Sequence, residues 1–136
     1  MNGAVSPEIK NQIVNLVREF VRRDVIPVAS KYDDEDIYPT ELVEQMKELG
    51  LFGITIPEEY GGLGLDTVTM ALIFEELSRG DVATAAFISI HNMATWMIDR
   101  FGSDALRARF VPSLVGMEKI ASYCLTEPGS GSDAAA

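Results

Sequence analysis

Cysteine and histidine are nearly absent from this sequence. Its 136 residues contain one of each, Cys124 and His91. A single cysteine excludes a disulfide within the chain, and the opening MNGAVSPEIKN resembles neither a signal peptide nor an Arg-rich transit peptide. Both observations favour a reducing compartment, namely the cytoplasm, or the mitochondrial matrix for a processed eukaryotic form.

Basic residues are also scarce, at 11 against 21 acidic residues, which gives a net charge of −10. Nucleic acids and anionic membrane surfaces are bound through clustered Lys and Arg, so neither is expected as a partner. The acidic run 33–36 has contiguous carboxylates rather than ligands spaced around a glycine turn. It therefore favours a solvated loop over a cation site, and no metal site is expected.

The sequence has no long uninterrupted apolar run. Residues 81–101 have the length of a membrane-spanning helix, but polar residues from Asp81 to Asp99 interrupt the segment. Inserting that many polar groups into lipid is costly. We interpret the segment as the central helix of a bundle.

The sequence does have apolar residues at helical spacing. Hydrophobic residues make up 47% of it, and the chain is long enough to form one core. Helix starts are predicted at Ser6-Pro7, Pro39, Asp66 and Ser103, an interruption at Pro27 and a helix end at Gly50. These signals predict an all-α fold, with a helical bundle over residues 7–115. The core is expected to include Leu72, Phe74, Phe87, Ile90, Trp96 and Phe110.

The final stretch differs from this scaffold. Ile120 to Leu125 is rich in apolar and aromatic residues over the length of a strand, and Pro128 prevents further regular pairing. Glycines and serines then alternate from Gly129 to Ser132, so the backbone can approach a ligand closely and offer several N–H groups. By composition alone, a flexible linker is the more common explanation of such a loop.

The order of residues resembles a known family. YCLTEPGSGSD, together with the upstream IPEEYGGLGLD, is similar to the flavin-facing signature of the acyl-CoA dehydrogenases. The resemblance implies that residues 1–118 form the N-terminal helical domain of such an enzyme. Residues 119–136 would then be the first strand and start of the middle β domain, truncated here.

The resemblance also implies an activity. Members use FAD to oxidise the Cα–Cβ bond of an acyl-CoA, pass electrons to an electron-transfer flavoprotein and are usually homotetramers. ISIHNMATWMIDRFG and MEKIASYCLTEPGSGSD are most similar to the isobutyryl-CoA branch, in branched-chain amino-acid or fatty-acid catabolism. The alternatives are a short straight-chain or 2-methyl-branched substrate, or a helical interaction module that has lost the chemistry.

For individual residues, the resemblance implies a flavin site. Tyr123, Leu125 and Thr126 fall on family positions that face the isoalloxazine ring, with the Thr126 amide and hydroxyl at its polar edge. Donors there stabilise the charge that develops as hydride arrives. Ser132 falls where the loop meets the pantetheine of the substrate, and is the expected substrate contact. The predicted cofactor-binding residues are Tyr123, Cys124, Leu125, Thr126, Gly129, Ser130, Gly131 and Ser132.

No catalytic residue is expected in this chain. The resemblance implies that the α-proton is removed by a glutamate of the C-terminal domain, so Glu127 is interpreted as a structural acid of the loop, accepting backbone hydrogen bonds. The 136 residues alone are therefore expected to be inactive.

The remaining conspicuous side chains are interpreted as structural. His91 is expected to be a hydrogen-bonded core histidine. The alternative places it near the acyl end of a substrate pocket with Ser89, Asn92 and Thr95. Buried positions are also predicted for Cys124, Met93, Trp96 and Met97.

Overall fold

Six α-helices form the protein in this computed structural model, which describes residues 5–135. They are α1 (Pro7–Phe20), α2 (Ile26–Asp34), α3 (Thr40–Glu48), α4 (Thr67–Gly80), α5 (Val82–Phe101) and α6 (Asp104–Val115). A π-helical turn at Val21–Val25 joins α1 to α2, and a short 3-10 helix covers Glu58–Tyr60. The predicted all-α fold is confirmed.

Most helix starts lie where the capping residues predict them. The side chains of Ser6, Asp66 and Ser103 each accept a hydrogen bond from a backbone N–H in the first turn of α1, α4 and α6. Pro39 precedes α3, and Gly50 follows it with φ +73°, a left-handed conformation that glycine adopts without steric cost. Local capping chemistry therefore sets most helix starts.

Pro27 perturbs the first helix without ending it. The Ile26 N–H bonds back to the Val21 carbonyl, so the chain forms one wider turn immediately before the proline. Because proline has no N–H to donate, this wider turn spares the helix a broken hydrogen bond and α2 continues to Asp34. The interruption predicted near Ile26 is thus a π-turn within a continuing helix.

Helix α5 lies between α4 and α6, and α4 also packs against α1. The guanidinium of Arg18 in α1 donates to the buried carboxylate of Glu76 in α4, at 2.7 Å. That hydrogen bond lowers the pKa of Glu76 below its usual range. The core between these helices is completed by Leu51, Phe52, Ile54 and Ile56, which are all fully buried.

Several predicted core residues are instead on the surface. Leu72, Ile90 and Trp96 are each more than 40% exposed, and Met93 is also exposed, while Phe74, Phe87, Phe110 and Met97 are half-buried. For the residues of α5 the reason is visible in the helix itself, whose interior face carries the polar residues His91, Asn92 and Thr95. Because these polar groups are hydrogen-bonded inside, the apolar residues on the other side of the helix face outward.

The segment predicted to be a strand is unpaired. Residues 120–126 form no β-ladder with any other part of the described chain, because a strand needs a neighbouring backbone and the bundle presents only helices. Within residues 5–135, no helix is both long and apolar enough to cross a membrane.

Candidate functional site

A cavity of about 320 Å³ opens beside α5, on the side facing α4. Its walls are mostly apolar, with a few polar groups among them, as in small-molecule sites. The lining residues are Thr55, Thr67, Met70, Phe74, Ser89, Asn92, Met93 and Trp96. Ser89 and Asn92 therefore belong to a pocket, whereas the other two residues of the predicted cluster, His91 and Thr95, are fully buried and do not line it.

Asn92 fixes the wall opposite α5. Its side-chain oxygen accepts the Ile54 N–H at 3.0 Å, and its amide nitrogen donates to the Leu51 carbonyl at 2.8 Å and the Ile88 carbonyl at 3.1 Å. One buried side chain thus holds the loop that brings Thr55 to the cavity. Periodicity could not reveal this role, since it does not show which face of α5 is inside.

His91 joins the bundle to the segment that follows α6. The Ala121 N–H donates to Nδ1 of His91, at 3.2 Å, while Nε2 lies 3.0 Å from the Leu114 carbonyl. Because a backbone N–H can only donate, Nδ1 is the acceptor and the ring proton is on Nε2, which donates to Leu114. The ring also packs edge-on against Phe52. The prediction of a hydrogen-bonded core histidine is confirmed.

We predict a pH dependence from this burial. Burial is the main effect on the pKa of His91 and lowers it, so the folded protein keeps the ring neutral below the ordinary value near 6.5. The unfolded chain binds the proton first, so the free energy of unfolding should fall as the pH drops below about 6.5. Urea denaturation between pH 8 and 5 measures this change in the free energy of unfolding.

The control for that experiment is His91→Gln, which has no titrating ring. The variant should be less stable than the wild type, but its stability should vary much less between pH 7 and 5. Carboxylates with lowered pKa values, such as Glu76, also make the free energy of unfolding depend on pH, but at lower pH, near the ordinary pKa of a carboxyl group. An equally steep loss in both proteins would show that His91 is not the responsible group.

The segment after Ala121 lies on the surface of the bundle. Tyr123 and Leu125 are 37% and 49% exposed, although each carries a large apolar group. Cys124 is also exposed, so the prediction of a small buried residue is wrong. Without a neighbouring strand there is no second sheet face in which Cys124 could be buried.

A tight turn follows at Pro128-Gly129. The Glu127 N–H donates to the Ser130 carbonyl at 2.8 Å, and the Ser130 N–H donates back to Glu127 at 3.2 Å. Turn formation thus uses the backbone of Glu127, while its carboxylate is exposed and accepts no hydrogen bond from another described residue. The expected backbone contacts of that carboxylate are absent within residues 5–135. The hydroxyl of Ser130 donates to the Asp133 carbonyl at 2.6 Å.

Several donors near this turn have no partner within the described chain. The hydroxyl of Thr126 and the N–H groups of Thr126, Gly131 and Ser132 bond to no other residue in 5–135. A Cβ added at Gly129 would meet nothing within 4 Å, and one at Gly131 only the Thr126 methyl at 3.9 Å. The loop therefore presents free donors beside open space.

Known proteins are similar in sequence to this chain. The family model described as "Acyl-CoA dehydrogenase, N-terminal domain" matches residues 7–118. The chain belongs to the acyl-CoA dehydrogenase family. It is 47% identical over 127 residues to isobutyryl-CoA dehydrogenase of Dictyostelium discoideum, and 42% identical over 128 residues to that of Bos taurus. These alignments cover 93% and 94% of the chain, which spans 30% and 31% of the length of the two relatives.

Solved structures show the same fold. Butyryl-CoA dehydrogenase from Megasphaera elsdenii matches 98% of the chain with a TM-score of 0.82 and 30% identity, and the chain covers 36% of it. A structure described as the electron transferring flavoprotein of Acidaminococcus fermentans matches all of the chain with a TM-score of 0.85 and 30% identity, and the chain again covers 36%. The helical domain of the acyl-CoA dehydrogenases is thus reproduced over nearly the whole chain.

The residues present fit the flavin that family membership implies. Tyr123 and Leu125 offer exposed apolar groups suited to a flat ring, and the unpartnered Thr126 donors suit a polar ring edge. The segment is less suited to binding a pyrophosphate, because residues 120–133 contain no Lys or Arg. Lys119, immediately before them, has its ammonium 5.6 Å from the centre of the Phe110 ring. Backbone N–H groups are therefore the phosphate donors that this segment offers.

Residues 5–135 contain no group of three or more His, Cys, Asp or Glu side chains placed to hold a metal ion.

Proposed function

We propose that this chain supplies the N-terminal helical domain of an FAD-dependent acyl-CoA dehydrogenase that oxidises the Cα–Cβ bond of a short branched acyl-CoA, preferentially isobutyryl-CoA. The observation that carries the proposal is the exposed Tyr123–Thr126 segment, whose apolar groups and free donors lie on the bundle that also holds the α5 cavity. The alternatives are short straight-chain and 2-methyl-branched substrates.

The cavity is the proposed site of the acyl group. Its volume of about 320 Å³ suits a small acyl chain, and Phe74, Met93 and Trp96 supply bulky apolar walls. Identity to the two isobutyryl-CoA dehydrogenases above 40% supports a branched substrate. An apolar pocket discriminates by only about 10–200-fold per methylene group, so a preference rather than an absolute specificity is expected.

In this mechanism the residues of the chain bind and orient. FAD, when bound, supplies the hydride acceptor. Tyr123 and Leu125 would cover the ring, and the Thr126 donors would stabilise negative charge at its polar edge without reorganising. Ser132 would contact the CoA thioester, with Gly131 leaving space for the backbone to approach. The base that removes the α-proton is proposed to lie in another domain of the enzyme.

The proposed partners follow from the same reaction. Electrons would pass to an electron-transfer flavoprotein, and the matching structure described by that name supports this choice. A homotetramer and a reducing compartment, such as the mitochondrial matrix, complete the proposal, and both isobutyryl-CoA relatives are described as mitochondrial.

Thr126→Ala and Ser132→Ala should affect different ligands in the enzyme that contains this chain. Thr126→Ala removes a donor to a charged ring edge, which is worth about 1.5–3 kcal/mol, so it should weaken or retune bound flavin. Ser132→Ala should mainly raise KM for the acyl-CoA. Flavin absorbance, reduction potential and steady-state kinetics measure these effects.

Thr126→Ser is the matched control, because it keeps the hydroxyl and should retain wild-type flavin properties. If both alanine variants lost flavin equally and KM did not change in either, the assignment of the two residues to different ligands would be wrong.

The substrate prediction is tested with an artificial electron acceptor. The enzyme should turn over isobutyryl-CoA with a higher kcat/KM than butyryl-, 2-methylbutyryl- or octanoyl-CoA, and the 136 residues alone should be inactive with added FAD. A positioned base is typically worth about 10²–10⁴-fold in rate, and the chain is proposed to lack it. Sustained turnover by the 136 residues would place the base within them. A preference for butyryl- or octanoyl-CoA would exclude the isobutyryl assignment.

A further inference from the structure

Residues 120–126 have a single hydrogen bond to the bundle. Within the described chain, the Ala121 N–H to His91 Nδ1 bond is the only one that joins any of these residues to another part of the protein. The preceding Lys119 bonds to the Ser113 carbonyl, and Glu127 bonds only within its own turn. The hydrogen bonding that sets the register of this segment is therefore concentrated at one side chain.

His91 is held firmly enough to serve as that anchor. It is fully buried on α5, packs against Phe52, and its Nε2 proton is directed to the Leu114 carbonyl near the end of α6. The Leu114 bond fixes the ring tautomer and leaves Nδ1 as an acceptor facing Ala121. The two ring nitrogens thus connect α5, α6 and the segment after α6.

We propose that His91 is a positioning residue for the cofactor site, because it fixes the register of residues 120–126 on the bundle and so places Tyr123 and Thr126. This inference rests on the proposed flavin site. Ala121 lies two residues before Tyr123 and five before Thr126, so a loosened anchor would shift both before any substrate binds. His91 does not touch the flavin; it acts through the backbone of Ala121.

Two amide substitutions separate the two ring nitrogens. The side-chain oxygen of Asn reaches about as far as Nδ1, so His91→Asn keeps an acceptor for Ala121 and loses the bond to Leu114. The amide nitrogen of Gln reaches about as far as Nε2, so His91→Gln keeps the Leu114 bond and loses the Ala121 acceptor. Both place an uncharged polar group in the same site, so general damage to the core should be similar.

The first experiment measures exchange of the Ala121 amide hydrogen by NMR in the 136-residue chain. A lost hydrogen bond of this kind should accelerate exchange about 3–10-fold. We expect this acceleration in His91→Gln and near-wild-type exchange in His91→Asn. Equal exchange in the wild type and His91→Gln, or equal acceleration in both variants, would overturn the anchor.

The second experiment measures the dissociation constant of FAD and the flavin absorption spectrum in the enzyme that contains this chain. His91→Gln should weaken FAD about 3–10-fold and shift the spectrum, whereas His91→Asn should resemble the wild type. Should either variant fail to fold, Ala121→Pro removes the donor without touching the core and should weaken FAD equally. Unchanged FAD binding in His91→Gln and Ala121→Pro would refute the positioning role and leave the flavin proposal intact. A wild-type enzyme without FAD would refute the proposed function, and the positioning role with it.

Discussion

Phe52→Ala should destabilise the protein by about 3–5 kcal/mol, the usual cost of truncating a buried phenylalanine. Phe52 is fully buried, and its ring centre lies 6.1 Å from that of Phe87 and 5.2 Å from that of His91, both in edge-on geometry. The substitution removes apolar burial and leaves a cavity beside the helix that carries the site. Chemical denaturation monitored by circular dichroism measures the change.

Phe101→Ala is the matched control, because Phe101 is 72% exposed. Surface truncation of this kind should change the free energy of unfolding by about 0.5 kcal/mol or less. A cost at Phe101 as large as that at Phe52 would contradict the assignment of the core.

Asn92→Ala should destabilise the protein nearly as much as Phe52→Ala, although the Asn92 side chain is polar. It would leave the Ile54 N–H and the Leu51 carbonyl without their Asn92 partner in a buried site, and an unsatisfied buried group costs about 1–3 kcal/mol. Because the Asn92 amide holds residues 51–54 against α5, the Thr55 wall of the cavity should also loosen. Denaturation measures the stability, and hydrogen exchange at Ile54 measures the local effect.

Asn15→Ala makes the same substitution at an exposed position, where the amide oxygen accepts a hydrogen bond from Arg18 on the same helix. Its cost should stay within about 0.5 kcal/mol. If Asn92→Ala left the exchange of the Ile54 amide unchanged, the Asn92 side chain would not be the group that holds the loop.

Some features of this protein are local, and the sequence determines them. Ser6, Asp66 and Ser103 cap helices because a short polar side chain satisfies the free N–H groups of the first turn within three residues. Gly50 ends α3 because its left-handed backbone is strained for other residues. The motif after Ser122 could be matched to a family for a related reason, since its residue types are contiguous in the chain.

Other features depend on contacts between residues far apart in the sequence, which local patterns do not contain. Periodicity identifies the faces of α5 but not which face is inside, and the prediction placed Trp96 in the core. The polar face lies inside because Asn92 is paired with residues 38 and 41 positions earlier in the chain. His91 likewise reaches Leu114 and Ala121, 23 and 30 positions later. Cys124 is exposed because no neighbouring strand covers it in the described chain.

The sequence by itself therefore determined the helices, their caps and the family. Only the tertiary structure decided which polar groups could be buried, because a buried polar group is stable only where distant residues supply its hydrogen bonds.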